Sequence, residues 1–382
     1  MNETNYFDHA GTTPMDPEVV QVMSEVLSHH FGNPSSIHKF GRDAYHLISA
    51  ARKIIADSIF AKESEIIFTS GGVEGNNMAI ISTALQNQDK GKHLIATAIE
   101  HPSVLRTMKF LENQFGFEVT FLPVDDKGNI SIEMFKKVLR VDTILVSVMF
   151  VNNETGVKLP IEEIGEILRT HPAIFHTDAV QAIGLLQIHP AKLGIDLLSV
   201  TAHKLNGPKG VGFLYKRENL LLNSFMHGGE QESGRRAGTE NVAGIVGLQK
   251  AMELLNVEEK QRRLKEYNNF QELLLKKLDQ EKVVYRINGD LGSHLPHILN
   301  LHLKNVSSNL ALVRLDLKGF AVSAGSACTA GAITPSHVLT AMYGENHLAL
   351  KEGLRISFGS GNTREQVKEL AAELTALARN QL

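Results

Sequence analysis

A lysine, an aspartate and a single cysteine are the residues of this sequence best suited to covalent chemistry. Lys204 lies in TAHKLNGPKG, after an apolar run and before a Gly/Pro loop. Its amine becomes a nucleophile only where burial or a neighbouring cation lowers its pKa. Asp178 ends the apolar stretch AIFHTD, and a desolvated carboxylate there needs a cationic or hydrogen-bond-donating partner. Cys328 is the only cysteine, which excludes internal disulfides and cysteine-cluster metal sites.

Each of these residues also has an ordinary structural explanation. A lysine usually lies on the surface, an aspartate at a strand end often caps a helix, and a lone cysteine is usually a buried small hydrophobe. Ser70-Gly71-Gly72 is either an anion-binding turn at a helix N-terminus or a plain tight turn. Its glycine spacing matches neither the dinucleotide nor the P-loop fingerprint. We interpret GPKGVG, from Gly207, as a turn before a strand.

Alternating strand and helix patterns predict the elements that must position these residues. Helical patterns such as SVLRTMKFLENQF and IEEIGEILRTH separate the predicted strands, and several strands are almost continuously apolar, as expected when both faces are covered. The alternation predicts an α/β fold with a mostly parallel seven-stranded sheet covered by helices. The predicted strands are EIIFTSG, HLIATAIEH, EVTFLPVD, TILVSVMFVNNETG, AIFHTDAVQ, DLLSVTAHK and VGFLYKR.

The length of 382 residues favours two domains. A highly charged helix from Val257 ends the alternation, and sparser strands (VVYRING, HILNLHL, LRISFGSG) and an amphipathic helix from Thr363 follow it. We therefore predict a large domain over residues 15–260 and a smaller α+β domain formed by residues 1–14 and 261–382.

Composition and charge narrow the class of protein. Hydrophobic residues make up 43% and charged residues 21% of the chain, and the net charge is −3. This balance is ordinary for a globular protein and offers no general attraction to nucleic acid or anionic lipid. The sequence shows neither a signal-peptide pattern nor an apolar run of membrane-spanning length. We expect a cytoplasmic protein that binds neither nucleic acid nor membrane directly.

Polar clusters follow five of the predicted strands, and ligand sites in open α/β sheets lie at the carboxyl ends of strands. Five polar clusters at the carboxyl ends of the strands imply that the site binds a sizeable polar ligand. A carboxylate at Asp178 suits the protonated ring nitrogen of pyridoxal 5′-phosphate (PLP), which needs an acid there to act as an electron sink. The clusters are Ser70-Gly71-Gly72, His101, Asn152-Asn153-Glu154, Asp178 with Gln181, and His203-Lys204.

Nine motifs in order make the chain resemble the NifS/IscS-type cysteine desulfurases, from near its start to residue 359. They are FGNPSSIHKFGR, TSGGVEGNN, EHPSVL, NNETG, HTDAVQ, AHKLNGPKG, GGEQESGRRAGTEN, SAGSACTAG and LRISFG. Single motifs are weak, whereas nine in sequence at this spacing are specific. The resemblance implies the fold-type I architecture of PLP enzymes and a homodimer.

The resemblance also implies roles for individual residues. Lys204 would hold PLP covalently, Asp178 would pair with its ring nitrogen, His101 would stack on the ring and Gln181 would bond the ring hydroxyl. Asn153 and Arg355 would clamp the substrate carboxylate, which the planar fork of an arginine fits. The phosphate would be held by Gly72, by the residue at position 73, by Thr201 and His203, and by Thr239 of the partner subunit.

Cys328 would receive the sulfur of the substrate, L-cysteine, as a persulfide. Its context SAGSACTAGAITPS is small, polar and Gly-containing, which suits a mobile loop. Because a free thiol has a pKa of about 8.5, the site must activate it, and His101 is a candidate proton acceptor. The resemblance implies that the persulfide passes to acceptor proteins for iron–sulfur cluster assembly or tRNA thiolation.

Three positions depart from the pattern of the family. Val73 stands where a threonine hydroxyl usually binds the phosphate, and Gly75 and Asn76 stand where a Ser/Ala-Asp pair is common. The valine removes a hydrogen bond to a charged group, so we expect weaker PLP retention rather than lost activity. Two alternatives stay open: another fold-type I PLP enzyme, such as an aminotransferase or selenocysteine lyase, and an inactive accessory protein.

Overall fold

A mostly parallel, seven-stranded sheet forms the centre of the computed structural model, which describes residues 5–325, 328–329, 332–333 and 335–379. The sheet has the order β2-β8-β7-β6-β5-β3-β4, and only β8 runs antiparallel to its neighbours. The strands of the chain are β1 (Asn5–Tyr6), β2 (Ile66–Thr69), β3 (His93–Thr97), β4 (Glu118–Leu122), β5 (Thr143–Ser147), β6 (Ile174–Asp178), β7 (Leu197–Thr201), β8 (Gly212–Lys216), β9 (Tyr285–Ile287), β10 (Ile298–Leu303), β11 (Phe320–Ala321), β12 (Cys328–Thr329), β13 (Ala332–Ile333) and β14 (Gly353–Ser357).

Helices connect and cover the strands. The predicted helices at SVLRTMKFLENQF and IEEIGEILRTH correspond to α4 and α6, and the charged helix predicted from Val257 is α9. The helices are α1 (Pro17–His29), α2 (Lys39–Ser58), α3 (Gly72–Gln86), α4 (Pro102–Phe115), α5 (Ile132–Val138), α6 (Ile161–Leu168), α7 (Gln231–Gly234), α8 (Val242–Leu254), α9 (Val257–Gln280), α10 (Ser308–Leu317), α11 (His337–Tyr343), α12 (Ala349–Glu352) and α13 (Arg364–Arg379).

The central sheet is buried on both faces, as the apolar runs predicted. In β2, Ile66 and Phe68 join one hydrophobic cluster while Ile67 joins the other. In β3, Ile95 joins the first cluster and Leu94 the second. Alternate residues of a strand point to opposite faces, so each face has its own apolar layer. The predicted α/β fold is confirmed, and each of the seven predicted strands lies in this sheet.

The C-terminal part of the chain forms smaller sheets that also include the N-terminus. Strand β10 pairs antiparallel with both β14 and β9, and β1 pairs parallel with β11. Asp8 then bridges to Ser357 at the end of β14. These pairings are the contacts that a small domain built from both ends of the chain requires, and the division at residues 14 and 260 stays a prediction. Among the described residues, no helix combines the length and apolar content needed to cross a bilayer.

Candidate active site

Lys204 lies at the carboxyl end of β7, where a short 3₁₀ turn (Ala202–Lys204) carries it out of the sheet. Its Nζ donates hydrogen bonds to the backbone carbonyl oxygens of Ala10 and Gly11. The N-terminal segment therefore closes over the amine. This contact spans more than 190 positions of sequence, and the sequence pattern alone did not predict it.

The surroundings of Lys204 favour its neutral form. Burial and then the positive charge of Arg355 lower the pKa of Lys204 to about 8, although the charges of Asp8 and Asp178 act in the opposite direction. An amine with this pKa is partly unprotonated near neutral pH, which a nucleophile requires. Lys204, Asp178 and Arg355 thus lie close enough for their charges to interact.

Asp178 is the last residue of β6 and is almost completely buried. Its Oδ2 accepts a hydrogen bond from Nδ2 of Asn76 (2.7 Å), and its Oδ1 accepts one from the backbone N–H of Val180 (3.0 Å). These two donors fix the plane of the carboxylate. A carboxylate oriented this way at a strand end can also receive a proton-bearing ring nitrogen.

His101 caps α4, which begins with Pro102 at its first helical position. Its Nδ1 accepts a hydrogen bond from the backbone N–H of Ser103 (3.1 Å) and lies 2.7 Å from Oγ of the same serine. Burial lowers the pKa of His101, and the positive charges of Lys204 and His337 lower it further against the opposing effect of Asp178. The ring is therefore neutral at neutral pH.

A cavity of about 420 Å³ lies at the N-terminus of α3. Gly71, the N-cap of this helix, has a φ of 142°, a value that only glycine adopts without strain. A helix N-terminus with free backbone N–H groups is an anion-binding site. The cavity is lined by Gly11, Thr12, Ser70, Gly71, Gly72, Val73, Glu74, Thr201, His203, Lys209 and Gly210.

Four of the predicted phosphate ligands line this cavity, and one does not. Gly72, Val73, Thr201 and His203 are all part of its wall, and Val73 contributes no hydroxyl there. Thr239 is exposed and is not part of that wall, which is consistent with the expectation that it serves a second subunit. Burial, Lys204 and Lys209 lower the pKa of His203 to about 4, so its ring is neutral.

Arg355 and Asn153 meet beside the Lys204 amine. The Arg355 guanidinium donates through Nη1 to the backbone carbonyl of Asn153 (3.0 Å) and through Nη2 to Oδ1 of Asp8 (2.8 Å). Its Nε and the Oδ1 of Asn153 are buried and have no partner within the described part of the chain. Buried polar groups without partners are costly, so these two atoms mark a position for a polar ligand.

Gln181 is buried close to Lys204, but its amide already has partners. Its Nε2 donates to the carbonyl oxygen of Ala10 (3.1 Å), which also accepts from Lys204. Its Oε1 lies 3.3 Å from Nε2 of His297. A ring hydroxyl would therefore have to share or replace one of these contacts.

Cys328 belongs to the two-residue strand β12, which pairs antiparallel with β13 through Cys328 and Ile333. The side chains of both strands, and residues 326–327, 330–331 and 334, lie outside the described part of the chain. The predicted role of the thiol is therefore not tested by the geometry. On the C-terminal side of this segment, Ser336 donates a hydrogen bond to the buried carboxylate of Glu154, and burial raises the pKa of Glu154.

Sequence reasoning missed several residues of the site. Asp8 pairs with Arg355, Lys209 lines the cavity, and Asn76 and Ser103 form hydrogen bonds between Asp178 and His101. Asn76 was noted only as a departure from the family pattern, and Lys209 only as part of a turn. The position of Asn76 in its helix was the signal that could have identified it, because a polar residue one turn into an apolar helix often forms a hydrogen bond with a buried partner.

The residues of the site fit PLP. The helix N-terminus suits a phosphate, the oriented carboxylate of Asp178 suits a ring nitrogen, and the amine of Lys204 has the lowered pKa that covalent attachment requires. Near this amine, Arg355 Nε is a donor without a partner among the described residues, which suits the carboxylate of an amino acid, while Asn153 Oδ1 is an acceptor that suits an N–H donor.

Comparisons with known proteins agree with this geometry. The family model described as aminotransferase class-V matches residues 5–370. A putative cysteine desulfurase, IscS 1, from Bacillus subtilis (strain 168) is 53% identical over 369 residues, which is 97% of either chain. A solved structure described as a NifS-like protein has a TM-score of 0.91 and 34% identity over 99% of this chain and all of that chain. Another, described as SspA in complex with cysteine, has a TM-score of 0.82 and 37% identity over 93% of this chain and 99% of its own.

Proposed function

The chain belongs to the aminotransferase class-V family, and from this premise we propose that it is a PLP-dependent cysteine desulfurase that converts L-cysteine to L-alanine. The resemblance to NifS/IscS-type desulfurases, which the sequence motifs indicated, is confirmed by the relatives and by the solved structures. The observation that carries the proposal is the meeting of an amine of lowered pKa (Lys204) with the charges of Asp178 and Arg355 in one cleft.

We assign the cofactor to the residues around Lys204. Lys204 holds PLP covalently, Asp178 pairs with the ring nitrogen, His101 stacks on the ring and Gln181 bonds the ring hydroxyl. The phosphate is held by the N-terminus of α3 at Gly72 and Val73, by Thr201 and His203, and by Thr239 of the partner subunit. Once bound, PLP withdraws electrons from the carbon atoms of the attached amino acid.

The substrate carboxylate is assigned to Arg355 and Asn153. Two Arg355 nitrogens already donate, to Asp8 and to the Asn153 carbonyl, and its Nε has no partner within the described residues. Asn153 would contact the carboxylate through its amide nitrogen, because its Oδ1 only accepts hydrogen bonds. An incoming carboxylate would take over the Asp8 contact or add to it, because the guanidinium carries five N–H donors. The Lys204 amine, once released, moves the proton of the substrate α-carbon, for which a pKa of about 8 is suited.

Sulfur transfer is assigned to Cys328. The thiolate attacks the sulfur of the bound cysteine, so an S–S bond forms while the substrate C–S bond breaks. The electron pair of that bond stays with the substrate carbon, which takes up a proton and leaves as alanine. No external oxidant is needed, because the substrate carbon gains the electron pair that the two sulfur atoms lose when the S–S bond forms.

Two variants test this function. Cys328→Ser should bind PLP and cysteine yet form no persulfide, and Lys204→Ala should lose the visible absorbance of lysine-bound PLP. The measurements are alanine release, the absorbance spectrum and the mass of the Cys328 peptide after reaction with cysteine. A persulfide formed at normal yield by the Cys328 variant would contradict the assignment. Consumption of a keto acid would instead favour an aminotransferase.

We further propose that the enzyme works as a homodimer in the cytoplasm and passes its persulfide to a protein. Acceptors for iron–sulfur cluster assembly and for tRNA thiolation both fit this chemistry. Capture with the persulfide-charged enzyme, compared with the Cys328→Ser variant as bait, would separate a sulfur acceptor from proteins that bind regardless of the persulfide.

A further inference from the structure

A continuous series of hydrogen bonds joins Asp178 to His101. Asn76, on α3, donates through Nδ2 to Asp178 Oδ2 (2.7 Å) and to Ser103 Oγ (2.9 Å). Ser103 Oγ in turn lies 2.7 Å from Nδ1 of His101. Asn76 is only 1% exposed and Ser103 is also buried. None of the predicted roles used Asn76 or Ser103.

The chemistry of these groups fixes the direction of each hydrogen bond. An amide nitrogen only donates, so the Ser103 hydroxyl oxygen accepts from Asn76 and its own proton is available for His101. The backbone N–H of Ser103 also donates to Nδ1 of His101 (3.1 Å). Because two donors point at Nδ1, this nitrogen carries no proton.

We propose that Asn76 and Ser103 are positioning residues that join Asp178 and His101 into one unit and hold the proton of the His101 ring on Nε2. The catalytic meaning of this unit rests on the proposed desulfurase function. A ring that carries its proton on Nε2 offers a donor there, which suits stabilisation of a thiolate. This revises the expectation that His101 accepts the proton of Cys328, because both donors occupy the nitrogen that would accept it.

The charged groups around His101 belong to several elements. Asp178 at the end of β6 favours a protonated ring, whereas Lys204 after β7 and His337 at the start of α11 oppose it. The Ser103 hydroxyl adds a donor to the same nitrogen that protonation would use. Loss of this donor should therefore make His101 easier to protonate while the three charged neighbours stay in place.

The test is a ¹⁵N NMR titration of the histidine rings in the full-length protein, with and without PLP. His101 is assigned by the signal that disappears in His101→Asn. We expect a neutral ring with its proton on Nε2, and a rise of about half to one unit in the pKa of His101 in Ser103→Ala and in Asn76→Leu, the effect of losing one neutral hydrogen bond. Ser103→Thr keeps the hydroxyl and should restore the original value.

Thr107→Val is the matched control. It removes the Thr107 hydroxyl, which is buried one helical turn from Ser103. This hydroxyl bonds to Asn77 and to the Ser103 carbonyl rather than to His101. The pKa of His101 should not change in it. A proton on Nδ1, or one pKa shared by the parent protein and Ser103→Ala, would overturn the proposal. If Asn76→Leu does not fold, the pKa of His101 in Ser103→Ala tests the proposal on its own. Since the titration needs no turnover, a failure to release alanine would count against the desulfurase function only.

Discussion

Val73 provides no hydroxyl to a cavity that otherwise suits a phosphate, whereas the family usually has a threonine at this position. It occupies the second position of α3, lines the cavity and is 60% exposed. Backbone N–H groups at the helix N-terminus remain available, so we expect PLP binding to be weakened rather than abolished. Val73→Thr should therefore bind PLP more tightly, by roughly tenfold if one hydrogen bond to a charged acceptor is regained. Equilibrium dialysis of the apo protein against PLP measures the change.

Val73→Ala separates the hydroxyl from the change in shape. It removes two methyl groups from an exposed position and adds no donor, so PLP affinity should stay near that of the parent protein. Equal affinity of the Thr and parent proteins would show that the phosphate does not contact position 73.

Lys204 predicts a specific pH dependence for cofactor attachment. Burial, assisted by the charge of Arg355, places the pKa of Lys204 at about 8, below the ordinary 10.4 of lysine. Only the neutral amine reacts with an aldehyde, so the rate at which the apo protein takes up PLP should rise with pH and level off just above pH 8. Stopped-flow absorbance at a series of pH values gives the curve.

Arg355→Gln should move this curve to higher pH, because a positive charge that opposes protonation of the amine is removed. Arg355→Lys keeps a charge and should shift the curve less. A plateau that stays near pH 8 in the Gln variant would mean that burial alone sets the pKa of Lys204.

At the scale of elements, the turn from β2 into α3 depends on glycine. Gly71 has a φ of 142°, and a Cβ there would lie 3.1 Å from Thr201 Oγ1. Gly71→Ala should lower the free energy of unfolding by roughly 1–3 kcal/mol, the range for a residue forced into such a conformation. It should also weaken PLP retention, since the turn forms the wall of the phosphate cavity.

Urea denaturation of the apo protein measures the change in stability. Gly292→Ala is the control, because that glycine has an ordinary φ and lies in a turn distant in sequence from the cavity. Similar losses of stability in the two variants would indicate that the strain at Gly71 is not the cause.

The elements could be predicted far better than the contacts between them. The seven strands of the central sheet and helices α4, α6 and α9 follow from apolar runs and their period, which are local properties of the sequence. The short pairing of β12 with β13 lies within a segment that was expected to be a mobile loop. Small polar residues carry little periodic signal, so this pairing could not be read from the pattern.

The missed contacts of the site share one physical cause. Asn76 reaches Asp178 across 102 positions, and Asp8 reaches Arg355 across 347. Such pairs are set by how helices and sheets pack, and a single sequence does not contain that information. Lys204, Asp178 and Arg355 could be named in advance because they follow or lie within recognisable strands and because nine motifs supported them.

At the scale of the whole molecule, an exposed apolar patch supports the proposed homodimer. Leu27, Phe31, Ile37, Phe40 and Tyr45 are exposed along the end of α1 and the start of α2. Large exposed apolar patches mark interfaces. Ile37, with 92% of its surface exposed, should therefore pack against a second copy. Ile37→Glu should sediment near the chain mass of 42.0 kDa, whereas the parent protein should sediment near twice that mass.

Val141→Glu is the matched control. Val141 is 94% exposed, and it precedes the amino end of β5, whereas the site residues follow the carboxyl ends of the strands. This variant should remain dimeric. If Thr239 of the partner subunit binds the phosphate, Ile37→Glu should also retain PLP less well than Val141→Glu does. A dimer in the Ile37 variant would place the interface elsewhere.

The buried carboxylate of Glu154 contacts the chain on both sides of Cys328, which would limit where a persulfide on Cys328 could be delivered. Ser336 bonds it on one side of the cysteine segment, and Gly325 packs so closely on the other that a Cβ would lie 2.8 Å from Oε2. Cys328 lies three residues beyond Gly325, and three residues of fully extended chain span about 11 Å at most. If Cys328 carries the persulfide, this short connection would keep the sulfur close to Gly325. An acceptor would then have to bring its own nucleophile close to Gly325 to take the sulfur.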